Sequence, residues 1–156
     1  METRWRETLI FELAGRRYGV AASDVRELVR IVTIAPPSPG SRLVEGVINL
    51  RGSVVPVFDL RARLGLPARE PDPSESLVIA HLAERPFAFR IDRALGLATL
   101  YTGDVDPSGL PGGAVDTPST GVAKLPEGLA TLLDLGALLA VEESAAGGLD
   151  RDRRPG

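Results

Sequence analysis

Two stretches of this chain match each other without a gap. Gly46-Val47-x-x-Leu50, then Asp59-Leu60-x-x-x-Leu64, returns as Gly121-Val122-x-x-Leu125, then Asp134-Leu135-x-x-x-Leu139. Two matched segments in the same order are the mark of a duplicated structural unit. A looser echo lies upstream, where Leu13, Tyr18, Val20 and Leu28 answer to Leu82, Phe87, Phe89 and Leu97. The chain is therefore read as one β unit used twice.

The local pattern supports short strands. Leu9, Phe11 and Leu13 alternate as a core-facing strand does, Ala14 to Arg17 turns, and Tyr18 and Val20 start the return. Ser23 or Asp24 is expected to cap a short helix whose Val25, Leu28 and Val29 share a face, with Glu27 opposite. Ile31 to Ala35 reads as a strand and Pro36 to Gly40 as a loop. Val47 to Leu50 and Ser53 to Phe58 make a hairpin around Arg51-Gly52, with the second strand well buried and Pro56 at an edge or bulge. Asp59 caps a helix through Leu64 that Gly65 ends. After a polar linker from Glu70 to Ser76, Leu77 to Leu82 and Phe87 to Ile91 form another hairpin, and Asp92 leads a short helix. Thr102 to Thr120 is too polar and too rich in Gly and Pro to pack, and the chain from Glu142 onward reads as a tail. Hairpin spacing and single-turn helices indicate a mostly-β domain, expected as two small barrel-like units in tandem.

At 156 residues with 44% hydrophobic content, such a chain can bury a core without covalent help. It has no Cys and one His, which removes thiol chemistry, Cys-rich zinc sites and most His-based metal sites. The formal net charge is −3 and Lys124 is the only lysine, so the basic patch that a nucleic-acid binder needs is missing. No apolar run approaches the ~18 residues of a membrane span, and a cytoplasmic location is expected.

The acidic candidates Asp59, Asp92 and Asp134 each stand where a strand gives way to a short helix, so they are read as caps for orphan N–H groups rather than as acid/base groups. His81 lies in an apolar strand, and Gly109 to Gly113 lacks the strand and helix that a phosphate cradle requires. No catalytic, cofactor-binding or metal-binding set emerges. A small ligand-binding barrel enzyme using Asp59 or His81 is the rival reading. Arg51 differs in kind, because a guanidinium at a hairpin tip offers five donors and a flat face to a partner's carboxylate. Glu27 is expected to be exposed as well.

With those residues in view, the chain resembles the CheW-like family of chemosensory coupling proteins, whose hallmark is a run like GVxNLRGxxxPVxDLRxxLGL. Here it reads Gly46-Val47-Ile48-Asn49-Leu50-Arg51-Gly52, Pro56-Val57, Asp59-Leu60-Arg61 and Leu64-Gly65-Leu66. LIFELAGRRYGVAASDVRELVRI and GVAKLPEGLATLLDLGALL resemble the first and last family segments. The resemblance implies a mainly β fold of two interleaved, five-stranded SH3-like barrels around a shared core. It places the domain at residues 8–139, between an extension over 1–7 and a flexible tail over 140–156. It implies no enzymatic activity and no cofactor. Its implied partners are the cytoplasmic tip of a methyl-accepting chemoreceptor and the regulatory domain of a CheA-type histidine kinase, at membrane-associated receptor arrays. The family's kinase contact uses apolar barrel-end residues. By motif, Arg51 and Glu27 belong to the receptor side, with Val25, Gly46 and Asn49 nearby. Two departures stand out: Ala88 replaces a family glycine, and Arg90 enters a normally apolar run. A divergent pathway, such as motility or development, is the alternative setting.

Overall fold

The computed structural model describes residues 5–37, 44–107 and 119–138. Eleven strands form two sheets: β1 (Trp5–Leu13), β2 (Arg16–Ala21), β3 (Val25–Arg30), β4 (Val44–Leu50), β5 (Ser53–Phe58), β6 (Ser76–Leu82), β7 (Arg85–Ile91), β8 (Arg93–Tyr101), β9 (Val105–Asp106), β10 (Ser119–Leu125) and β11 (Gly128–Leu133). One sheet runs β8-β1-β2-β11-β10-β9 and the other β3-β6-β7-β5-β4. In the first, β8 and β9 lie at opposite edges yet are one stretch of chain, broken only by a 3-10 turn at Thr102–Asp104. That unit is thus a closed barrel of five strands, one of them bent. In the second, the chain leaving β3 returns to β4 through two hydrogen bonds, Ala35 N–H to Val47 O at 2.8 Å and Val47 N–H to Ala35 O at 2.9 Å. Both units close in the same way.

The duplication is present, but the units are not in tandem. The hairpin of the first repeat, β1–β2, joins the later strands of the second repeat, and β6–β7 joins β3, β4 and β5. Only residues 22–24 separate β2 from β3, and only Asp92 separates β7 from β8. Each strand therefore runs on into the neighbouring unit instead of turning back. This exchange builds the shared core, in which Phe11 of the first unit lies 5.8 Å from Phe89 of the second, ring centre to ring centre. Leu9, Leu13 and Leu133 pack there with Phe58, Leu60 and Ile91. A second cluster, Ile48, Val55, Val57, Leu77, Ile79 and Ala88, fills the inside of the second unit.

Several local expectations are corrected. The helix expected after Asp24 is a 3-10 turn at Ala22–Asp24 followed by strand β3, because pairing with β6 outweighs what a single helical turn offers. Val25, Glu27 and Val29 alternate on one face of it, which leaves Leu28 outward and 43% exposed. Asp92 starts no helix. It sits in a bend, where its Oδ2 accepts from Ala14 N–H at 2.9 Å and its Oδ1 from Arg61 Nη2 at 2.9 Å. Ile31 to Ala35 contributes only the Ala35 bridge. Strand β5 is interior, flanked by β7 and β4. Pro56 is tolerated there because its partner Val47 turns both backbone groups to Ala35 and asks β5 for no donor. Val54 and Pro56 are exposed, so β5 is buried on both faces only at its Val57-Phe58 end. Residues 5–7 belong to β1, where Trp5 stands opposite Tyr101. Of the loop expected over 102–120, the described residues form the 3-10 turn, β9 and the start of β10, and residues 108–118 lie outside the described residues. The tail expected over 140–156 lies outside the described residues; among the described residues no helix is long and apolar enough to cross a membrane.

Candidate functional site

Arg51 and Gly52 form the two-residue turn of hairpin β4–β5, with φ of 51° and 89°. Positive φ at both positions suits the twist of the flanking strands. Asn49 fixes the turn, since its Oδ1 accepts from Gly52 N–H at 2.8 Å. The guanidinium of Arg51 pairs with the carboxylate of Glu27 on β3. Because β3 and β4 are the two edges of this sheet, the pair bridges the seam where the barrel closes. The hydrogen bond to Glu27, and then its charge, hold the Arg51 proton more firmly than usual. The Arg51 side chain is nevertheless 67% exposed, so water screens the pair and it contributes little to the fold.

The other proposed residues sit at increasing depth. Asn49 is exposed, while Val25 is half-buried and packs against the shared core. Gly46 is buried at a bulge in the β4–β5 pairing. A Cβ there would lie 2.2 Å from Ala35 O and 2.4 Å from Ile34 Cγ2. Gly46 lets the segment after β3 lie down on β4, which places it under the site rather than on its surface. Sequence reasoning missed Val54, which is 72% exposed directly opposite Asn49. It belongs to a strand whose apolar run read as buried, and nothing in the one-dimensional pattern marks which valine faces out.

Also missed was a buried ionic cluster at the opposite end of hairpin β4–β5. Arg90 on β7 is 7% exposed. It donates from Nε to Glu45 at 3.1 Å, from Nη1 to Glu75 at 2.9 Å and from Nη2 to Arg69 O at 2.7 Å. Burial works against its charge, but Glu45 and Glu75 outweigh that and raise its proton affinity. Burial likewise pushes the Glu45 carboxyl up, against the pull of Arg90. Glu45 adjoins Gly46, and Glu75 O accepts from Ile31 N–H just past β3, so the cluster grips both strands that present Arg51 and Glu27. The visible signal was Arg90 itself, a charge inside an apolar strand.

The rival acidic residues behave as backbone ties. Asp59 Oδ1 accepts from Ala62 N–H at 3.0 Å at the start of α1 (Leu60–Arg63), and Asp134 Oδ1 accepts from Ala137 N–H at 3.1 Å in the helical turn over 135–138. The cleft that Asp59 borders, about 450 Å³, is lined by Arg61, Arg69 and Arg90, and His81 is not part of it.

Paired SH3-like barrels around one core, with an exposed charged hairpin corner and aspartates committed to backbone, define a module built to bind other proteins. Comparison with known sequences and structures makes the class specific. The CheW-like domain matches residues 7–143, and the chain belongs to that family. It is 35% identical over 104 residues, 66% of each chain, to the chemotaxis protein CheW of Rhizobium meliloti (strain 1021). It is 28% identical over 147 residues, 92% of this chain and 87% of the relative, to the chemotaxis protein CheW of Klebsiella aerogenes. Among solved structures it resembles the scaffolding protein TtCheW from Thermoanaerobacter tengcongensis, with a TM-score of 0.76 and 26% identity over 86% of this chain and 92% of that one.

Proposed function

We propose that this chain is a non-enzymatic chemosensory adaptor, holding a chemoreceptor tip and the regulatory domain of a CheA-type histidine kinase on separate faces at cytoplasmic receptor arrays. The observation that carries the reading is the Arg51–Glu27 corner on a CheW-like double barrel. An exposed ion pair costs the fold little to open. Arg51 can therefore exchange Glu27 for a partner's carboxylate, with Val54 and Asn49 supplying contact area beside it. The barrel beneath stays intact, fixed by the Ala35–Val47 bridge and the Arg90 cluster. Two partners held on one rigid body meet at a raised effective concentration and a fixed orientation, so a small shift in one is felt by the other without any chemistry from the adaptor.

The test is to bind purified protein to a receptor cytoplasmic hairpin and, separately, to a kinase regulatory domain. Arg51→Glu is expected to weaken receptor binding by about tenfold or more, as loss of an arginine anchor does, and to leave kinase binding within about twofold. A folded Arg51→Glu variant that binds the receptor hairpin like the wild type removes Arg51 from the site.

A further inference from the structure

The two repeats place equivalent residues at the open end of each barrel. Arg6 stands opposite Leu100 as Glu75 stands by Ile31, and Ala21 stands opposite Thr8 as Arg90 stands opposite Leu77. Thr120 and Asp134 hold the places of Glu45 and Asp59. In the second unit the inner part of this position is filled: Arg90 reaches in from β7 and is held by Glu45 and Glu75, which leaves only the cleft beside Asp59 open above it. In the first unit the Ala21 methyl is too short to reach in, and a cavity of about 160 Å³ remains, lined by Arg6, Thr8, Gly19, Thr120, Leu132 and Asp134 among others. Two charges are also exchanged, while Asp134 keeps the sign of Asp59 and stays committed to Ala137 N–H. A cation at Arg6 replaces the anion at Glu75, and Asp24 on the lip replaces Arg93. Among the described residues nothing pairs with the Arg6 guanidinium.

We infer that this cavity is a socket for a carboxylate side chain, Asp or Glu, of a protein partner. A carboxylate entering where Arg90 lies in the other unit would meet Arg6 as Arg90 meets Glu75, with the signs exchanged, and the Thr120 hydroxyl can donate to it. The socket is a second contact, on the barrel that lacks the Arg51 corner, and it rests on the adaptor reading only for its guest being a protein.

The experiment uses the full chain and a small probe, so that its failure leaves the Arg51 corner untouched. N-acetylglutamate amide, titrated into isotopically labelled protein and followed by amide NMR, should shift Ala21, Thr120 and Leu132 rather than Arg51 and Gly52. N-acetylglutamine amide, and the Arg6→Gln variant with the glutamate probe, should each bind about tenfold more weakly, as loss of one charge-assisted contact implies. Equal binding of the two probes, an unchanged Arg6→Gln affinity, or shifts confined to the Arg51 turn would overturn the proposal. Ala21→Glu supplies the missing carboxylate in cis. It should raise Tm by about 3 °C over Ala21→Gln and close the socket to the probe. A variant no more stable than Ala21→Gln that still binds the probe would also contradict it.

Discussion

Hairpin β4–β5 turns on Arg51-Gly52, whereas hairpin β10–β11 turns on Pro126-Glu127. Glu27, opposite Ile79, pairs with the first turn; its counterpart in the other unit is Gly96, opposite Ile10, and the second turn instead receives Arg17 Nη1, which donates to Glu127 O at 3.1 Å. Beneath the two turns the halves agree closely. Gly46 and Gly121 both sit at bulges, Asp59 and Asp134 both cap a helical turn, and Leu60 and Leu135 are both buried. Both halves keep what backbone and core demand, and they differ where the backbone demands nothing. The charged corner is therefore a property of one face of the molecule rather than of the fold.

The sharpest way to break this comparison is through the buried arginine that only one half contains. Arg90→Leu leaves Glu75, whose side chain is 1% exposed, with only the longer contact to Arg69 at 3.7 Å, and should cost about 3 kcal/mol in denaturant unfolding. Adding Glu75→Leu should recover part of that loss. The counterpart Ala21→Leu should cost far less, because no ion is stranded; comparable losses would deny the asymmetry.

A smaller effect is expected at the bulge glycines. Gly46→Ala drives a Cβ into Ala35 O and disrupts the bridge to Val47, a cost of about 2–3 kcal/mol. At Gly121 the nearest atom is 2.9 Å away, but φ is +147°, so the penalty there is backbone strain more than collision. The Gly46 variant should be the less stable of the two in thermal unfolding.

The caps should respond alike. Asp59→Ala and Asp134→Ala are each expected to lose about 1 kcal/mol, and Asp59→Asn much less, since Asn also caps. An Asp59 variant that cost twice its counterpart would assign that carboxylate work beyond its cap.

The same comparison shows where the sequence was legible. Spacing in the Gly-Val and Asp-Leu repeats exposed the duplication, and turn chemistry placed the hairpins, because both depend on neighbours along the chain. The exchange of hairpins between units was not legible in the residues, since it depends on whether the chain turns back after Ala21 or Ile91, and only the family resemblance implied interleaved barrels. The Val25-Glu27-Val29 strand was misread for a related reason: three apolar residues at positions 25, 28 and 29 fit a helical face, and only the ladder to β6 decides the matter. Arg51 could be singled out as a turn residue, but its contact with Glu27 arises from barrel closure and has no local signature. The receptor-side assignment itself came from the family resemblance.

The most direct test of the central claim compares the two hairpin tips by charge reversal, Arg51→Glu against Glu127→Arg, each titrated against one receptor cytoplasmic hairpin with unfolding midpoints measured alongside. Both variants should keep the wild-type midpoint, and only Arg51→Glu should lose affinity, by about tenfold or more. Equal losses at both tips, or none at either, would contradict a docking face built on one half alone.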